Sequence, residues 1–150
     1  MNSPQYSLLE GTQRRVLTHF YREHGSRMRP AAEGVQWVAR ADALVGALNL
    51  SAVAEGHWLT GLFTAPDWRG RGIAGELLEA ALAHSCGPTW LFCHPDLQGF
   101  YQRRGFACTE ALPGELASRL ARYRRGKALV AMVRGQSSLL GSKPGNSTSV

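Results

Sequence analysis

The chain has 150 residues, room for one domain with one core rather than two. Hydrophobic residues make up 44% and charged residues 19%, ordinary values for a soluble globular protein. The formal net charge of +6 favours anionic partners, but no helix-turn-helix pattern or interleaving of basic and aromatic residues points to nucleic acid.

Met1-Asn2-Ser3-Pro4-Gln5 has neither a basic start nor an apolar stretch, so it does not read as a secretory signal. No apolar run approaches the roughly 18 residues of a membrane span. The expected compartment is the cytoplasm, with no membrane partner. A short apolar run over residues 6–9 predicts a first strand. Thr12 is the expected N-cap of a helix whose Val16, Leu17, Phe20, Tyr21 and His24 recur at helical spacing and which Gly25 ends. Residues 26–32 predict a second short helical segment.

From Gly34 the period changes. Residues 35–39, 44–50 and 57–64 predict three strands with short links, hence an antiparallel meander, since parallel neighbours need long crossovers. Pro66 breaks the third strand, and a glycine-rich loop leads into a helix over residues 72–84. Residues 89–93, continuously apolar, predict a strand buried on both faces. Strand, crossover helix and strand form one parallel unit. A short helix over residues 97–104, a strand over 106–109, an amphipathic helix with Glu115 and Arg119 paired four apart, and a strand over 128–133 complete the pattern. Residues 135–150, rich in Gly and Ser, predict a flexible tail, leaving residues 1–134 as a single domain. Cys86, Cys93 and Cys108 are odd in number and form no CxxC pair, so reduced thiols are expected, with no disulfide framework and no metal.

The chemistry concentrates in Arg69-Gly70-Arg71-Gly72-Ile73-Ala74. A helix start offers free backbone N–H groups and partial positive charge, and so attracts phosphate. Gly70 and Gly72 let the main chain approach a bulky anion, and Arg69 and Arg71 add charge beside it. The loop lacks the Gly-Lys-Ser/Thr of a P-loop. The preceding antiparallel meander is wrong for a dinucleotide fold. The pattern describes a pyrophosphate cradle of another kind.

This loop resembles the Arg/Gln-x-x-Gly-x-Gly/Ala signature of the GNAT family, the Gcn5-related N-acetyltransferases. Phe100-Tyr101-Gln102-Arg103-Arg104-Gly105-Phe106 resembles the family's Phe-Tyr-x-x-x-Gly-Phe segment, in the right order after it. The resemblance implies an α/β (α+β) fold with a mixed, mostly antiparallel central sheet flanked by helices. It further implies a V-shaped split between the strands ending at Thr64 and Cys93, with acetyl-CoA as co-substrate entering it. Backbone groups of Leu62, Phe63 and Thr64 would pair with the pantetheine arm, and the amides of Arg69, Gly70, Arg71, Gly72, Ile73, Ala74 and Gly75 would hold the pyrophosphate.

The same resemblance implies direct attack of a primary amine on the thioester in a ternary complex. Tyr101 sits where many members carry the general acid for the CoA sulfur. For the base, Glu55, His57, His94, Asp96 and water are candidates, with His94 favoured because histidine takes up protons near neutral pH. Cys93-His94-Pro95-Asp96-Leu97 is shorter than the family pattern and lacks its Asn ahead of the Phe-Tyr block. The family's acceptor wall corresponds to residues 21–29, where Tyr21, Arg27 and Arg29 predict a small acceptor carrying a carboxylate or phosphate. A homodimer is one assembly the family allows. The rival expectation is a module of the same fold that binds acyl-CoA without transferring it.

Overall fold

A computed structural model describes residues 3–28, 33–83 and 85–135. Its strands are β1 (Gln5–Leu8), β2 (Val35–Arg40), β3 (Leu44–Val53), β4 (Gly56–Thr64), β5 (Thr89–Cys93), β6 (Ala107–Cys108) and β7 (Val130–Arg134). Its helices are α1 (Arg14–Glu23), α2 (Ile73–Leu82), α3 (Gln98–Gln102) and α4 (Gly114–Tyr123). Hydrogen bonding orders the strands β1-β2-β3-β4-β5-β7-β6, an open mixed sheet with β1 and β6 at its edges. Every recorded pairing is antiparallel except that of β4 with β5. This is the expected fold class, and the crossover helix α2 accounts for the parallel pair.

The contacts gather into two compact units that interleave along the chain. One contains residues up to Ser51 with Leu59–Ser85, and the other contains Ala52–Trp58 with residues from Cys86 onward. In the first unit, Leu17, Phe20 and Tyr21 form the apolar stripe of α1 and pack with Val38, Leu44, Ala47 and Ala65. A second cluster joins Ile73 of α2 to Ala39 and Val45. The β2–β3 register slips at Ala39/Arg40, a bulge. Leu17, fully buried, anchors the larger cluster, and its truncation to Ala would cost about 2–5 kcal/mol.

In the second unit Val53, Trp58, Trp90, Leu116 and Val133 form the core, with Phe92 and Leu112 at its margin. The parallel register of β4 and β5 covers His57↔Thr89 and Trp58↔Trp90. The anticipated ion pair on α4 is formed, with Arg119 Nη2 3.1 Å from Glu115 Oε2.

Several local expectations change. Thr12 lies inside a 3₁₀ turn, Gly11–Gln13, and α1 starts without a side-chain cap. Residues 26–28 form no helix, and the rest of that expected segment is outside the described residues, as are His84 and the tail from residue 136. The helix expected over 97–104 begins with a 3₁₀ turn at Pro95–Leu97, because proline suits a first turn.

Candidate active site

Where β4 ends, Pro66–Trp68 makes a 3₁₀ turn and the chain reaches Gly70 and Gly72, both at φ +79°. A Cβ at Gly70 would meet nothing within 4 Å, and one at Gly72 only Glu76 Oε2 at 4.0 Å. Glycine is needed there for the left-handed backbone rather than for want of space, and the surroundings are open to a ligand. Gly72 begins α2 with no side-chain cap. The first helical bond is donated by the Glu76 amide to the Gly72 carbonyl, 3.0 Å. The amides of Ile73, Ala74 and Gly75 therefore have no acceptor within the helix, at the end where its dipole is positive. These groups suit a pyrophosphate.

The two arginines beside the loop each have a contact of their own. Arg69 Nε donates to the Thr64 carbonyl at 3.1 Å, and its guanidinium lies 5.4 Å from the Phe63 ring centre. Arg71 lies 4.8 Å over Trp68. Arg69 thus ties the loop back to the last residue of β4. A residue that the sequence did not single out, Glu76, accepts from the Tyr6 hydroxyl at 3.3 Å. Burial and then the Glu76 carboxylate push the Tyr6 hydroxyl up in pKa. Tyr6, Trp68, Arg71, Ile73 and Glu76 line a cavity of about 290 Å³ beside the helix start.

Tyr21 departs from its expected place on the acceptor wall. It is fully buried, packs on Phe20 and Phe63, and donates its hydroxyl to the Gly61 carbonyl at 2.8 Å. Helical spacing puts Tyr21 on the same stripe as Leu17, and that stripe faces the core. Burial raises its pKa and keeps the hydroxyl protonated. Arg27 is exposed, and Arg29 lies outside the described residues. Near the end of α1, Glu23, His24, Asp42, Asp67 and Trp68 border a second cavity of about 310 Å³.

In the second unit, Tyr101 of α3 is buried against Phe100 and Phe106, ring centres 5.0 and 5.6 Å away. Burial, then the neighbouring Cys93 thiol, pushes its pKa up to about 12. Its phenol makes no hydrogen bond among the described residues, so it is a protonated donor without an internal acceptor. His94 is exposed, and its Nδ1 accepts from the Asp96 amide at 3.1 Å while lying 3.4 Å from Asp96 Oδ2. Protonation at Nδ1 would exchange the first bond for one to the carboxylate. His57 Nδ1 is buried without a partner among the described residues. Cys93 Sγ lies 3.8 Å from Met132 Sδ, and burial, then Cys108, raises its pKa, which keeps it an unreactive thiol. Among the described residues no His, Cys, Asp and Glu group could hold a metal ion, and no helix is long and apolar enough to cross a membrane.

Known proteins resemble this chain in domain and fold. The family model for the acetyltransferase (GNAT) domain matches residues 32–108, just over half of the chain. No curated protein matches it. Among solved structures, the N-acetylglutamate synthase of Neisseria gonorrhoeae, complexed with coenzyme A and N-acetyl-glutamate, superposes with TM-score 0.64 at 17% identity. That likeness covers 89% of this chain but 35% of the synthase. The ribosomal-protein-S18-alanine N-acetyltransferase of Escherichia coli gives 0.66 at 12% identity, covering 90% of this chain and 96% of that one. The structure described as histone acetyltransferase HPA2 and related acetyltransferase, from Corynebacterium glutamicum, gives 0.66 at 16%, covering 91% and 98%. At such identities the likeness is one of fold.

Proposed function

The chain belongs to the GNAT acetyltransferase family, and on that premise we propose that it is a cytoplasmic, single-domain enzyme moving an acetyl group from acetyl-CoA to a primary amine. One observation carries the reading: two left-handed glycines in open surroundings lead into an uncapped α2 whose first amides are free. In this reading the amides of residues 73–75 hold the pyrophosphate, with the backbone of 69–72 closing around it. Leu62, Phe63 and Thr64 offer main-chain groups to the pantetheine arm. The Thr64 carbonyl already accepts from Arg69, so the arm pairs with the remaining groups of this edge.

The amine nitrogen attacks the thioester carbon, the C–N bond forms, and the C–S bond breaks. Tyr101 gives its hydroxyl proton to the departing sulfur and recovers one from solvent. Its raised pKa keeps that proton in place at neutral pH. The ammonium proton leaves through His94, whose imidazolium would be held by Asp96 Oδ2. Arg27 and Arg29 favour an acceptor bearing a carboxylate or phosphate. Coenzyme A and an acylated amino acid bound to the gonococcal synthase agree in class with this choice.

The test is mass spectrometry of products, with thiol release, after incubation with acetyl-CoA and a panel of amine metabolites and peptides. Acetylated small anionic amines are expected. Tight CoA binding with no thiol release from any amine would replace the enzyme by an acyl-CoA-binding module.

A further inference from the structure

Gly61 stands in the middle of β4 at φ +68°, the one left-handed residue inside a strand among the described residues. Such a residue breaks the period-two alternation and re-aims the strand beyond it. The residues around it, from Thr60 to Thr64, are all half-buried instead of alternating. Two polar side chains converge on this point. Tyr21 donates from its hydroxyl to the Gly61 carbonyl at 2.8 Å. A Cβ on Gly61 would lie 2.6 Å from Asn49 Nδ2 and 3.0 Å from the Tyr21 hydroxyl oxygen.

Both partners are buried, Tyr21 at 0% and Asn49 at 1% exposure, and Tyr21 sits in a cluster otherwise made of Leu, Val, Phe and Ala. Burying a hydroxyl and a carboxamide is unfavourable unless each meets a defined partner, and phenylalanine would fill the same core space. Neither residue takes part in the proposed bond-making steps. The Tyr21 hydroxyl bonds to the kink, and the Asn49 carboxamide lies against it.

We propose that Tyr21 and Asn49 are positioning residues, a lock that sets the left-handed kink at Gly61 and so aims the backbone of residues 62–64 at the acetyl-bearing arm of the co-substrate. The proposal rests on the reading of those residues as the pantetheine edge. The lock bears on residues 62–64 and not on the amides of residues 73–75, so it governs where the thioester carbon lies rather than whether CoA is held. Misplacing a reacting centre by about 1 Å can cost on the order of a hundredfold in rate.

The test compares Tyr21→Phe, which deletes one hydroxyl, with Asn49→Ala and the double variant in the full chain. Steady-state kinetics, CoA affinity and deuterium exchange over residues 60–64 are measured on each. Each single variant is expected to lose about tenfold in kcat with KM for the amine and Kd for CoA within about twofold, and to exchange faster over that segment. The double variant should be no slower than the poorer single one, because both act on one kink. A purely structural role would lower Tm and leave the kcat of folded protein unchanged; that result, or multiplying losses in the double variant, overturns the proposal. If one variant does not fold, the other carries the same readouts. A wild-type chain that acetylates no amine defeats the transferase reading instead. The exchange result then judges the lock by itself, with unchanged exchange overturning it and faster exchange supporting it.

Discussion

The loop of residues 69–75 and the helix carrying Tyr101 each supply part of the proposed chemistry, and they are built from opposite materials. The loop works through main-chain amides, released by two left-handed glycines and a helix start with no side-chain cap. Tyr101 works through one hydroxyl, and its state is set by what surrounds it: two phenylalanine rings, a thiol and little water. A main-chain site tolerates many side chains but no change in backbone conformation. A side-chain site tolerates backbone adjustment but not the loss of one atom. The two regions should therefore fail in different ways.

The largest effect is expected where a negative charge enters the main-chain site. Gly72→Glu puts a carboxylate in the cradle. At about 6 Å from a phosphate and an effective dielectric of about 20, it opposes binding by roughly 3 kcal/mol, about a hundredfold in Kd. The left-handed backbone adds about 1–2 kcal/mol of strain to folding. Gly72→Ala carries the strain without the charge, so its Kd should change far less. Calorimetric titration with CoA separates the two variants. Equal affinity of Gly72→Glu and wild type would remove the loop from the donor site.

Tyr101→Phe should do the reverse. A positioned general acid contributes about a hundredfold or more to a rate, and water can take over part of its work, so kcat should fall about thirtyfold. The Kd for CoA should stay within about twofold, since the amides of α2 are untouched. If both parameters moved together, the division between a binding loop and a chemical side chain would collapse. The same residue makes a smaller prediction about stability. Its pKa is raised from 10.0 to about 12 on folding, so the folded chain holds the proton more tightly than the unfolded one. That contribution is full below pH 10 and is lost as pH rises toward 12, on the order of 1 kcal/mol per pH unit. Urea melts of Tyr101→Phe should decline less steeply between those pH values. Tyr21, also raised by burial, keeps part of the slope in the variant.

This contrast also explains what the sequence reveals. Glycines before an apolar helix encode a main-chain site within a few residues, and α2 and its loop lie where the pattern puts them. Strand periods and short links likewise predict the consecutive order of β2, β3 and β4 in the sheet, because each depends on near neighbours. Side-chain sites depend on partners far along the chain. Helical spacing puts Tyr21 on the apolar stripe of α1, but does not tell that its hydroxyl bonds to a carbonyl forty positions away. Gly61 reads as an ordinary residue of a strand, yet it is left-handed and its carbonyl accepts from Tyr21. No local pattern carries those destinations.

Arg27 provides the smallest and sharpest test of the contrast. It is a side-chain feature like Tyr101, but it is exposed, so the field it exerts on an acceptor is screened by water and salt. Exposed ion pairs contribute about 0.2–1 kcal/mol. Arg27→Ala should therefore raise KM for a carboxylate-bearing amine about threefold and leave kcat and CoA affinity unchanged. The rise should shrink as salt is added, and it should vanish for an uncharged amine of the same size. A salt-independent rise would mean that Arg27 acts through packing. A rise for both amines alike would mean that it shapes the acceptor wall without reading charge, and the preference for an anionic acceptor would then lose its support in the described residues.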